Sequence, residues 1–174
     1  NTSDVTPYLQ FHRADLIQAL FNAATAAGAT LKLGVRMHPT NSTPNGVEID
    51  GKTFDLVIGA DGVRSSLRDQ FYDAQKVEFT GKIAWRALVK TEDMRSDFYP
   101  DTCVFMGPEK HIVTYPLRGG KLINIVAVEE RNTWTEEGWN HKGKADDLRL
   151  VFAGWCPEIN SLLEQVYSPI VWGL

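Results

Sequence analysis

Apolar and polar positions change their spacing near residue 73, and that change divides the 174-residue chain in two. In the first part, Leu16, Leu20, Ala23 and Ala24 recur on one helical face of an Ala- and Leu-rich run. The spacing predicts a helix over 14–27 with Gly28 as its C-cap. Residues 30–36 and 46–50 alternate polar and apolar, as half-exposed strands do. The Pro-, Asn-, Ser- and Thr-rich stretch 39–45 predicts a turn-rich tip. Asp50-Gly51 is a strong hairpin signal, and it leads into a strand over 53–58. There Leu56, Val57 and Ile58 form the unbroken apolar run of a strand covered on both faces, the habit of parallel sheets. Gly59 and Gly62 let the backbone turn sharply into a helix beginning near Val63.

After residue 73 the pattern is of short strands, at 76–79, 83–89, 102–106, 111–115 and 122–128, with Gly119-Gly120 joining the last two as a hairpin. They are rich in β-branched and aromatic residues and predict a mostly antiparallel or mixed sheet. Helical spacing returns at 145–152 and 158–164. Trp134 and Trp139, among Asn, Glu and Gly, read as a packed loop or helix start. The expected organisation is therefore α/β plus α+β. Residues 1–72 form part of a nucleotide-binding domain, and 73–174 form a β-sheet domain with flanking helices.

Composition narrows the function classes. Eighteen basic residues against 22 acidic ones leave no basic surface suited to tracking phosphates, so nucleic acid is not an expected partner. No apolar run approaches the ~18 residues of a membrane span. Cys103 and Cys156 do not make a disulfide framework and suit a reducing compartment, so the cytoplasm is the expected location. His12, His38, His111 and His141 are scattered without metal-ligand spacing, and no metal site is expected. Ser65 and Ser66 follow an Asp-Gly turn rather than a Gly-x-Ser-x-Gly elbow, which argues against a hydrolase.

Asp61 stands just past the expected strand's carboxyl end, where open α/β sheets place their ligands. A carboxylate there can accept hydrogen bonds from ribose hydroxyls, or it can cap the next helix. Spacing alone leaves both open. The segment Asp55-Leu56-Val57-Ile58-Gly59-Ala60-Asp61-Gly62-Val63-Arg64-Ser65, however, resembles the second dinucleotide motif of the FAD-dependent aromatic-ring hydroxylases. These are single-component flavoprotein monooxygenases of the salicylate hydroxylase type. A second match, Phe11-His12-Arg13-Ala14-Asp15-Leu16, resembles the His-Arg-x-Asp-Leu segment that opens a helix in that family.

The resemblance implies a Rossmann-like, three-layer FAD domain followed by a substrate domain. It also implies FAD and NAD(P)H as cofactors, O2 as co-substrate, and a small phenolic or carboxylated aromatic as substrate. Asp61 and Gly62 would then serve both cofactors, and Arg13 would reach the FAD. Arg13 near a helix N-terminus is otherwise electrostatically odd, and a salt bridge or simple solvation would also account for it. Trp85-Arg86 and Thr114-Tyr115-Pro116-Leu117 resemble segments near the family's substrate pocket. Arg86 could clamp a carboxylate bidentately, or be an ordinary outward-facing strand arginine. Tyr115 before Pro116 could equally mark the end of a core strand. No residue stands out as a catalytic base; His12 could be active, but a lone histidine is more often structural.

Two family features are missing from these residues, the Gly-x-Gly-x-x-Gly turn and the Gly-Asp motif. The expectation is therefore an internal piece of a protein roughly twice as long, inactive alone, and self-associating or paired with its missing segments. The rival readings are a non-catalytic remnant that serves as an interaction domain, and a reductase or epoxidase of the same superfamily.

Overall fold

The computed structural model describes residues 8–37, 39–72, 77–94, 101–133 and 141–174. Trp134, Trp139 and the start of the strand expected at 76–79 lie outside them. Two compact units emerge. The larger joins Phe79–Leu174 to the described residues up to Asn22, and the smaller is Ala23–Glu78. Up to Asn22 the first helix thus belongs with the sheet that follows residue 79, which the expected partition at residue 73 did not foresee. The architecture is α+β.

In the smaller unit, β1 (Pro39–Thr43), β2 (Gly46–Ile49) and β3 (Lys52–Phe54) form an antiparallel meander. Asp50 and Gly51 both have positive φ, 49° and 72°, as a two-residue hairpin turn matching strand twist requires. The stretch expected to be only a turn-rich tip supplies β1, because it pairs with β2 from Pro39 to Thr43. Residues 30–36 form no strand, since Leu33 and Gly34 turn there with Gly34 at φ 70°.

Leu56, Val57 and Ile58 are not a buried strand either. Among the described residues no strand pairs with them, and Leu56 and Ile58 stay 74% and 80% exposed. An apolar run without a ladder partner has nothing to bury it. The following helix, α2 (Ser66–Phe71), starts three residues later than expected. Its N-cap is Ser65, whose Oγ accepts the Arg68 amide at 3.0 Å.

The larger unit is built on six strands: β4 (Lys82–Lys90), β5 (Cys103–Gly107), β6 (Lys110–Leu117), β7 (Leu122–Glu130), β8 (His141–Lys142) and β9 (Ile170–Gly173). Their order is β5-β6-β7-β4-β9-β8, and every pairing is antiparallel, so of the two expected arrangements the mostly antiparallel one holds and the mixed one is corrected. No strand forms at 77–79. The two short strands β8 and β9 lack the length of periodic pattern that reveals a strand in sequence.

Period-two alternation sorts the sheet into two faces. One carries Ile83, Trp85, Ala87, Val89, Ile112, Ile123, Ile125 and Ala127, all buried in one core. Helices α3 (Ala145–Val151) and α4 (Pro157–Glu164) close it with Leu148, Ile159, Leu162 and Leu163. The opposite face carries Ala84, Arg86 and Leu88 of β4 beside Asn124, Val126 and Val128 of β7. In register with these come Tyr115 and Leu117 of β6, and Ile170 and Trp172 of β9. This second face is also mostly apolar, which is why the strands read as near-continuous hydrophobic runs. No helix among the described residues is long and apolar enough to cross a membrane.

Candidate functional site

The second face of the sheet forms the floor of a cavity of about 720 Å³. Its opposite wall is the entry to α1 (Arg13–Ala26), which contributes Phe11, His12, Arg13 and Leu16. Two contacts tie that entry to the sheet unit. The Arg118 guanidinium donates from Nε and Nη2 to the two carboxylate oxygens of Asp15, both at 2.8 Å. Gln10 Nε2 donates to Thr102 Oγ1 at 3.0 Å. Arg118 occupies the tight β6–β7 turn at φ 51°, beside Gly119 and Gly120. Hydrogen bonds from Arg118 hold the Asp15 carboxyl below the usual carboxylate range, helped by the charges of Arg118 and His12 and opposed by partial desolvation.

Arg86 and Tyr115 share the sheet face and line the cavity, and Arg13 lines the same cavity from α1. The Arg86 guanidinium carbon lies 5.5 Å from the centre of the Trp172 ring, within cation–π reach. Arg86 Nε is nonetheless buried without a hydrogen-bond partner. Asn124 Nδ2 is buried and unpartnered too, and so is His12 Nδ1, which stands 3.8 Å from an Asp15 carboxylate oxygen. Of the four such side-chain atoms among the described residues, these three line one cavity, while Thr114 Oγ1 lies under the other face. Buried polar groups almost always find partners, so this concentration marks a place for polar atoms of a ligand or water. Mostly apolar walls (Leu88, Leu117, Ile170, Trp172) with a few convergent polar groups are the ordinary make-up of a small-molecule site.

Asp61 and Gly62 belong to the other unit. Gly62 has φ 83°, and a side chain there would meet nothing within 4 Å, so its backbone is open to close approach. The Asp61 carboxylate accepts from the Leu67 amide at 3.3 Å and the Ser66 hydroxyl at 3.4 Å. The Ser65 hydroxyl, followed by the Leu67 amide, lowers its proton affinity, so it is an ionised acceptor at neutral pH. It thus braces the first turn of α2 without being its N-cap. Such an acceptor beside an open glycine fits the hydroxyl-rich chain of a dinucleotide, and the Arg13 guanidinium fits an anionic group.

Sequence reasoning brought out Arg13, Arg86 and Tyr115 and missed Asn124 and Trp172. Asn124 did leave a signal, as the lone polar residue in the apolar run Leu122–Val128. Trp172 sits on a four-residue strand too short to show a period.

No protein-family model matches the chain. Curated proteins do. Salicylate hydroxylase of Pseudomonas putida is 29% identical over 188 residues, covering 94% of this chain and 43% of that protein. The 6-hydroxynicotinate 3-monooxygenase of Bordetella bronchiseptica is 31% identical over 175 residues, covering 96% of this chain and 45% of that protein. Among solved structures, a salicylate hydroxylase substrate complex superposes with a TM-score of 0.69 at 29% identity, over 94% of this chain and 45% of that one. The chain therefore spans less than half the length of these relatives.

Proposed function

The chain belongs to the family of FAD-dependent aromatic-ring hydroxylases, and from that premise we propose that the whole protein hydroxylates an aromatic acid, using NAD(P)H and O2. The observation that carries the reading is the Arg86 guanidinium, buried at Nε without a partner on the floor of an apolar-walled cavity. A carboxylate is the group that such a guanidinium binds best. The similar proteins named above act, by their names, on hydroxylated aromatic acids, which supports the same substrate class.

When bound, FAD supplies reduction by the nicotinamide and activation of O2, chemistry no side chain can supply. This chain's residues bind and orient. Arg86 holds the carboxylate, while Leu88, Leu117 and Trp172 pack the ring and keep water from it. Tyr115 offers its phenol to the ring's substituents. In the unit Ala23–Glu78 the Asp61-Gly62 turn would hold FAD, and Arg13 is, separately, a candidate for an anionic group of the cofactor. In this reading Ala23–Glu78 contributes to a three-layer, Rossmann-like FAD domain, and the sheet unit is the substrate domain. The missing ladder partners of Leu56 and Ile58 would come from the rest of that domain.

The test uses the whole protein. It should purify yellow, and an added hydroxybenzoate should accelerate NAD(P)H oxidation with appearance of a hydroxylated product. Arg86→Gln should raise KM for the acid roughly 10- to 100-fold, the range expected for one charged hydrogen-bonded contact. Asp61→Ala should lower bound flavin or slow its reduction. A colourless protein, or one whose NAD(P)H oxidation ignores every aromatic acid, overturns the proposal.

A further inference from the structure

Asn124 is 4% exposed, and its amide nitrogen has no hydrogen-bond partner although the residue lines the cavity. An asparagine within the otherwise apolar run Leu122–Val128 is a costly choice when its amide is left unpaired, and any aliphatic residue would fill the position without that cost. Its neighbours define what it can reach. Tyr115 is its direct cross-strand partner on β6, and Leu88 is its partner on β4. Arg86 lies one pleat along from Leu88, diagonal to Asn124 on the same face. The floor thus carries a cationic donor at one point and, a diagonal step away, two neutral hydrogen-bonding groups side by side.

We propose that Asn124 is a specificity-determining residue that donates its amide N–H to an oxygen substituent on the ring of the bound aromatic acid. The proposal rests on the function put forward above and adds to it the feature by which the site separates ring-oxygenated acids from unsubstituted ones. The charged guanidinium of Arg86 takes the carboxylate, and the neutral pair of Asn124 and Tyr115 takes the ring oxygen. A site built to hydrogen-bond a substituent rejects the analogue lacking it, because its buried polar groups then stay unpaired. Leu88 and Leu117 flank this pair and offer the Asn124 amide no acceptor, so its bond has to come from what occupies the cavity.

Calorimetric titration of the FAD-loaded whole protein with benzoate and with 2-, 3- and 4-hydroxybenzoate provides the test. Wild type should bind at least one hydroxybenzoate about 10-fold or more tighter than benzoate. In Asn124→Leu that preference should shrink to about threefold or less, while the Kd for benzoate stays within about threefold of wild type. Asn124→Ala, which removes the donor without adding charge, should lose the preference as well, and Asn124→Ser should keep part of it. These two variants decide the matter if the leucine variant does not fold. A preference unchanged in the variants overturns the proposal, and so does a parallel loss for benzoate and hydroxybenzoates, which would mark a packing role. Wild-type binding of all four acids with equal affinity overturns it while leaving the proposed function standing. Wild-type binding of none overturns the proposed function and this inference together.

Discussion

Arg149 shows what a single side chain contributes to this sheet unit. Its Nε donates to the Leu163 carbonyl at 3.1 Å, and its Nη2 donates to the carbonyls of Glu164 at 3.2 Å and Val166 at 2.7 Å. Its Nη1 reaches Asp146 at 2.6 Å. The last carbonyls of any helix lack intrahelical donors, and here a planar fork from α3 satisfies those at the end of α4. Arg149→Met should destabilise the chain by about 1–3 kcal/mol, since the part-buried Val166 carbonyl loses its Arg149 donor while the Leu163 carbonyl keeps the Val166 amide. Arg149→Lys should recover little of this, because a point-like ammonium cannot span the three carbonyls. Urea denaturation of the three proteins measures both differences, and equal midpoints for wild type and the methionine variant would refute the account. The same logic separates Arg149 from the exposed pair Lys90–Glu92 (3.1 Å), where water replaces whatever is removed.

At the scale of elements, the entry of α1 is held over the cavity by Asp15 and Arg118, a bidentate pair between a helix and a hairpin turn. Asp15 has its proton affinity lowered in the folded chain, first by the Arg118 hydrogen bonds. A carboxylate so depressed stabilises the fold above its unfolded pKa, and the contribution is lost as pH falls through the lower folded value. The tether should therefore be intact above about pH 4 and weaken below it. Amide hydrogen exchange at 12–16 should quicken in Arg118→Ala and in Asp15→Ala alike, and the double variant should add nothing. Additive effects would mean that the two residues act separately.

Elements of this kind differ in how well sequence reveals them. The hairpins at Asp50-Gly51 and Gly119-Gly120 and the long strands β4, β6 and β7 were legible, because positive-φ residues and sustained apolar runs are local signals. The run Leu56–Ile58 misled, because its strand character depends on neighbours that the described residues do not provide. For the site, motif resemblance singled out Arg13, Arg86 and Tyr115. That these three share one cavity depends on strand register and on the packing of α1, which no spacing along the chain encodes.

The whole molecule is governed by a sheet whose two faces are both apolar while α3 and α4 cover only one. On the other face, α1 roofs the cavity, and Val104 and Met106 on the edge strand β5 remain exposed, Met106 at 84%. The second unit separately exposes Leu56 and Ile58. Apolar side chains on a strand that has one neighbour among the described residues, and in a run with no ladder partner among them, are where other chains add. The 174-residue chain on its own should therefore associate in a concentration-dependent way and bind a hydrophobic dye, readable by sedimentation velocity between about 5 and 200 μM and by fluorescence. The two patches make separable contributions. Met106→Lys places charge on the β5 edge, and Ile58→Lys places it in the unpaired run. Each should reduce association, and the pair together should bring the chain close to monomer, because each charge would have to be buried for contact to form. A wild-type chain that stays monomeric and dye-free across that range would show that these apolar positions are not sticky enough to matter. Association unaffected by either lysine would assign it to another surface.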